Sequence, residues 1–92
     1  MRYEWDEAKR NLNLQRHGID FADFSYLFEG DLVILEDDRF DYDETRFVAF
    51  GLLFGRMIAV VYTERGDDLI RLISARKASK YETEQYYRQF TD

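Results

Sequence analysis

Ninety-two residues with 17% aromatic side chains, no cysteine and a formal net charge of −6 describe one small domain with an aromatic-rich core. This composition excludes a disordered chain, a disulfide scaffold and a thiolate metal site. No apolar run approaches the roughly 20 residues of a membrane span and no signal-peptide pattern opens the chain, so a soluble, cytoplasmic protein is expected.

Arg2-Tyr3-Glu4-Trp5 alternates in polarity and reads as a short opening strand. Asp6 then stands where an N-cap is wanted, ahead of a helix to about His17, and Gly18 suits a left-handed C-terminal cap. A second helix is expected from Asp20, where Phe21, Phe24, Leu27 and Phe28 form a stripe at 3–4 spacing. Gly30-Asp31 ends it, and Leu32-Val33-Ile34-Leu35 reads as a buried strand. The polar run Glu36 to Glu44 is expected as an exposed loop. Three β-rich runs follow, Arg46–Phe54, Met57–Thr63 and Leu69–Ala75, separated by short glycine-containing breaks that favour an antiparallel meander. Ser79 with Glu82 three residues on is a capping-box pattern for a closing helix. The expected order is β-α-α-β-β-β-β-α, an α+β domain spanning residues 1–92 with helices packed on a mostly antiparallel sheet.

Charge is unevenly distributed. Glu29 to Glu44 holds eight carboxylates and one cation, whereas Leu69 to Phe90 holds five cations and two carboxylates. A Debye length of about 8 Å at physiological salt lets two such regions act almost independently. The run Ile70 to Lys77 carries Arg71 inside a strand and Arg76-Lys77 at its exit, a pattern suited to phosphate. Regular alternation puts Arg71 and Arg76 on opposite faces unless the strand ends or bulges near Ser74.

Three blocks carry a family resemblance: Trp5-Asp6, Lys9, Asn13-Leu14, His17-Gly18 and Phe21; Glu44, Arg46-Phe47 and Gly51; and Val60 to Gly66 followed by Ile70-Arg71, Ile73 to Arg76, Glu82 and Tyr86. Together they resemble the BrnT toxins of bacterial type II toxin–antitoxin systems, whose fold is RelE-like. The resemblance implies a ribonuclease that halts translation. It also implies an antitoxin with a DNA-binding domain, through which the complex represses its own gene. The chain departs from the pattern in its acidity and at Phe40, where many relatives carry histidine.

Metal-free RNA cleavage needs a base for the 2′-hydroxyl, a cation for the charged phosphorane and an acid for the leaving oxygen. Arg46, Arg71 and Arg76 are candidates for the cation because guanidinium donates in pairs and stays charged. Each is also explained by an ion pair or by its stem lying over a sheet edge. His17 carries the one imidazole, the group that changes charge near neutrality, although capping electrostatics alone account for its position. Lys9, two turns earlier, borders the same side of the helix or is a solvated residue. Lys77 and Lys80 are candidate RNA contacts. Tyr62 and Tyr86 are candidate stacking platforms, with core packing as the ordinary explanation. The acidic loop lacks the spacing of a calcium site, so no metal or cofactor is expected. A catalytically inactive module that only binds its partner is the alternative reading.

Overall fold

The computed structural model describes residues 1–38 and 43–90. Phe40, at which the chain departs from the family pattern, lies outside the described residues, as does Arg39. The elements are β1 (Arg2–Glu4), α1 (Glu7–His17), a 3₁₀ turn (Phe21–Asp23) leading into α2 (Phe24–Glu29), β2 (Val33–Asp37), β3 (Arg46–Leu53), β4 (Arg56–Arg65), β5 (Leu69–Lys77) and α3 (Lys80–Phe90). They form one mixed five-stranded sheet in the order β1-β5-β4-β3-β2. β2 to β5 make the expected antiparallel meander, and β1 adds to its far side, parallel to β5. Two expectations for β2 need correcting. It is an edge strand, with Ile34 and Leu35 exposed rather than buried. Glu36 and Asp37 continue β2 rather than opening a loop, with Asp37 buried opposite Arg46.

The helix ends are set by local chemistry. One carboxylate oxygen of Asp6 accepts from the backbone N–H groups of Ala8 at 2.9 Å and Lys9 at 3.1 Å. Gly18 closes α1 at φ 68°, a left-handed conformation that costs glycine nothing, and donates its N–H to the Leu14 carbonyl. Ser79 and Glu82 cap α3 reciprocally: Ser79 N–H donates to the Glu82 carboxylate at 2.8 Å and Glu82 N–H to the Ser79 hydroxyl at 3.1 Å.

Alternation along the strands divides the buried residues into two cores, one on each face. Phe21, Phe24 and Leu27 pack with Ala49, Ile58, Val60, Tyr62, Leu72 and Ala75. On the opposite face Val48, Phe50 and Ala59 meet Ala78 and Tyr86 at α3. Each fully buried Phe or Leu contributes about 1.5–3 kcal/mol of burial, so the aromatic stripe from Phe21 to Leu27 is a principal anchor of α2. Gly51 permits the chain entering β2 to cross closely over β3, since a Cβ there would sit 2.7 Å from the Asp31 carbonyl oxygen.

β5 contains the feature on which the cationic residues depend. Val61 of β4 pairs with Ser74, but the next residue, Tyr62, pairs with Leu72, leaving Ile73 as an extra residue in β5. The bulge resets alternation. Arg71 stands opposite Thr63, Ser74 opposite Val61 and Arg76 opposite Ala59, which puts all three on the α3 side of the sheet. The opposed placement expected for a regular strand is therefore corrected. Arg46, opposite Asp37 and one residue before Phe47, reaches the same side from β3.

Candidate active site

β1 pairs with β5 only as far as Arg71, so the outer edge of β5 beyond it has no strand partner among the described residues. α1 packs along β5 instead. Asn13, 7% exposed, fastens the helix there. Its side-chain carbonyl accepts from the Ala75 N–H at 3.0 Å, and its amide donates to the Ile19 carbonyl at 3.1 Å. One asparagine thus satisfies an edge-strand donor and a loop acceptor, neither of which has a ladder to join.

Residues one turn away from Asn13 in either direction fall on the same helix face. These are Lys9 and His17. With Leu12, Asn13, Arg16, Ile73 and Ser74 they line a groove of about 190 Å³ between α1 and the β5 bulge. Lys9, Arg16 and His17 are exposed at its rim, and its lining contains no carboxylate among the described residues. In a chain of net charge −6, this is a concentrated basic site. It offers cationic donors for phosphate, an imidazole for proton transfer and a hydroxyl at Ser74.

The arginines are tied to carboxylates. Arg76 forms a two-pronged pair with Glu82, Nη1 to Oε1 at 2.6 Å and Nη2 to Oε2 at 2.9 Å. This pairing, helped by the Ser79 N–H, holds the Glu82 carboxyl below its usual pKa despite partial burial. Arg71 Nη1 lies 3.4 Å from Glu4, which also faces Arg65 at 3.7 Å. Arg65 lies 3.5 Å from Glu44, and Glu44 lies 3.7 Å from Arg46. Alternating charges therefore run across one end of the sheet from Arg71 to Arg46. Lys77 and Lys80 are exposed at the junction of β5 and α3.

Two expectations for base stacking are corrected. Tyr62 is 2% exposed, with Phe28 edge-on to its ring at 5.2 Å and Phe47 stacked at 5.5 Å. Tyr86 is buried beneath α3 against Tyr87 and Phe90. Neither ring offers an open face to a nucleobase. Burial, followed by the nearby Glu64, pushes the Tyr62 phenol up to about 12.

Residues 5–82 match the family model described as the ribonuclease toxin BrnT of type II toxin–antitoxin systems. The chain belongs to the BrnT family. Among solved structures it is similar to the Brucella abortus ribonuclease toxin BrnT. The two share 34% sequence identity and a TM-score of 0.69, over 87% of this chain and 99% of that one. Comparison with curated proteins gives no match. Membership of the BrnT family makes the chain a ribonuclease toxin, an enzyme with an antitoxin as its partner. Its α+β architecture of helices on a mixed five-stranded sheet is shared with the Brucella BrnT.

Within this BrnT-family fold, Lys9 and His17 come together in one groove, whereas Arg46 lies two strands from β5. Sequence reading missed Arg16, Asn13 and Ser74 as parts of the groove. Arg16 had a signal, because seven residues after Lys9 is almost two full turns, about 20° from alignment. Asn13 had a weaker one, as a polar residue spaced four from both Lys9 and His17. Ser74 had none, because its placement depends on the bulge. No cluster of three or more His, Asp or Glu side chains able to hold a metal occurs among the described residues.

Proposed function

We propose that this BrnT-family toxin cleaves RNA in the groove between α1 and the β5 bulge, without a metal ion. The observation that carries the reading is the convergence of Lys9, Arg16 and His17 around Ser74 in a lining free of carboxylates. The RNA 2′-hydroxyl attacks the adjacent phosphorus, the bond to the 5′-oxygen breaks, and a 2′,3′-cyclic phosphate and a free 5′-hydroxyl result. His17 exchanges the proton of the attacking or leaving oxygen. Lys9 and Arg16 neutralise charge on the phosphorane, the largest demand of this reaction. Ser74 donates to a non-bridging oxygen. Arg71 and Arg76, on either side of Ser74 along β5, together with Lys77 and Lys80, guide the flanking backbone. Arg46, engaged with Glu44, stands outside the groove and supports the sheet end.

The same reading takes residues 1–92 as one RelE-like domain acting in the cytoplasm, where cleavage halts translation. Its antitoxin carries a DNA-binding domain, and the complex represses its own gene. The carboxylate pairing of Arg71, Arg76 and Arg46 favours one second reading, a partner-binding module without catalysis.

Purified protein incubated with RNA and a chelator tests both. Wild-type protein is expected to cleave, His17→Ala to lose at least about 100-fold in rate, and the Lys9→Ala/Arg16→Ala double variant to lose more. A folded double variant that cleaves at the wild-type rate overturns the site. Wild-type protein that leaves RNA intact while binding its antitoxin supports the second reading.

A further inference from the structure

A second concavity lies on the face of the sheet opposite the arginines. It measures about 510 Å³ and runs from Tyr3 of β1 past Phe28 of α2 and over Tyr62 to Ile34 of β2. No residue lines both this groove and the basic one. Its floor is a row of rings, with Tyr3 5.8 Å from Phe28 and Phe28 5.2 Å from Tyr62. Ile34 stands 49% exposed at one end, on β2, which closes the sheet as an edge strand. Glu29 and Glu64 are exposed at the rim, and the lining contains no Lys, Arg or His side chain among the described residues. The Met1 amino group at the far end is already paired with Asp68 at 3.3 Å.

We propose that this acidic aromatic groove is where the antitoxin docks, through a segment with an apolar anchor flanked by Lys or Arg. The inference rests on the toxin–antitoxin reading of the chain. Charge complementarity selects the occupant. The anchor is buried against Phe28 and Ile34, and the flanking cations meet Glu29 and Glu64. A second copy of this chain would bring its own surface, at a net charge of −6, toward two carboxylates, and like charge opposes that pairing. Docking here keeps the antitoxin off the cationic groove, so partner binding and RNA contact depend on different residues.

The test is calorimetric titration of the purified toxin with its cognate antitoxin. The Glu29→Lys/Glu64→Lys double variant and Ile34→Asp are compared with wild type, and thermal melts confirm that each is folded. Both variants are expected to weaken antitoxin binding at least tenfold while cleaving free RNA no more slowly than wild type. Folded variants that bind antitoxin with wild-type affinity overturn the proposal. So does wild-type self-association that the variants abolish while antitoxin affinity stays constant, which would assign the groove to a second copy. Wild-type protein that does not bind the antitoxin defeats the toxin–antitoxin reading itself, a failure distinct from loss in the variants alone.

Discussion

Asn13 shows how one side chain can connect fold and site. It supplies the hydrogen bond that a neighbouring strand would otherwise make to Ala75, and it carries Lys9 and His17 on the same helix face. Replacing it with leucine keeps the size but leaves the Ala75 N–H and the Ile19 carbonyl without their partner. Asn13→Leu is expected to lower stability by about 2–4 kcal/mol, read from urea unfolding, on the basis of one unmet donor and one unmet acceptor. Tyr62 gives a residue-scale prediction at high pH. Its neutral form is favoured in the fold, so its contribution is complete below the ordinary value of 10.0 and is lost as pH rises toward about 12. Denaturation midpoints should therefore fall across that interval, and Tyr62→Phe should flatten the fall. An unchanged slope in that variant would assign the alkaline loss to other groups.

At the level of elements, much of the molecule was legible in the sequence because the signals were local. Asp6 and Gly18 bracket α1 by short-range hydrogen bonding, and Ser79 with Glu82 does the same at the start of α3. The glycine breaks defined the meander in a similar way. What was not legible depended on pairing between distant segments. Nothing in Arg2-Tyr3-Glu4 says that it will lie parallel to β5, and nothing in Ile73 marks it as an extra residue. The site suffered accordingly: Lys9 and His17 were visible through helical spacing, whereas Ser74 was hidden behind the bulge. The cap of α3 also gives a test. Glu82 has a depressed pKa in the fold, so its stabilisation is present above the ordinary value of 4.5 and disappears as pH falls through and below it. Glu82→Gln is expected to cost about 1.5–3 kcal/mol at neutral pH and little at pH 3, as seen in thermal melts across that range. An equal cost at both would mean that the ionised carboxylate of Glu82 is not the source of the stabilisation.

At the scale of the whole molecule, two surfaces of opposite character occupy one small sheet. The net charge of −6 repels RNA at long range, and the groove beside α1 concentrates Lys9, Arg16 and His17 with no carboxylate among its described lining residues. RNA affinity should therefore depend on few phosphate contacts. With about three counterions displaced from a single strand, the logarithm of the binding constant should fall with the logarithm of salt at a slope near −2. Fluorescence polarisation with a labelled RNA measures that slope, and a value near −5 or steeper would place much of the contact outside the groove.

The extra residue in β5 imposes an arithmetic on the chain. A strand presents its side chains by odd and even count, so one residue added or removed within its regular stretches exchanges the two sides for everything beyond it, unless a bulge takes up the difference. Ile73 is the exception: deleting it alone would close the bulge with Leu72 still opposite Tyr62 and Ser74 still opposite Val61, so Ser74, Ala75 and Arg76 would keep their sides and the bonds of Ala75 to Asn13 and of Arg76 to Glu82. A change of two residues would preserve the sides. The turn at Gly66 is free of this parity rule, so insertions and deletions there should be tolerated singly, whereas those within β5 away from Ile73 should be tolerated only in pairs.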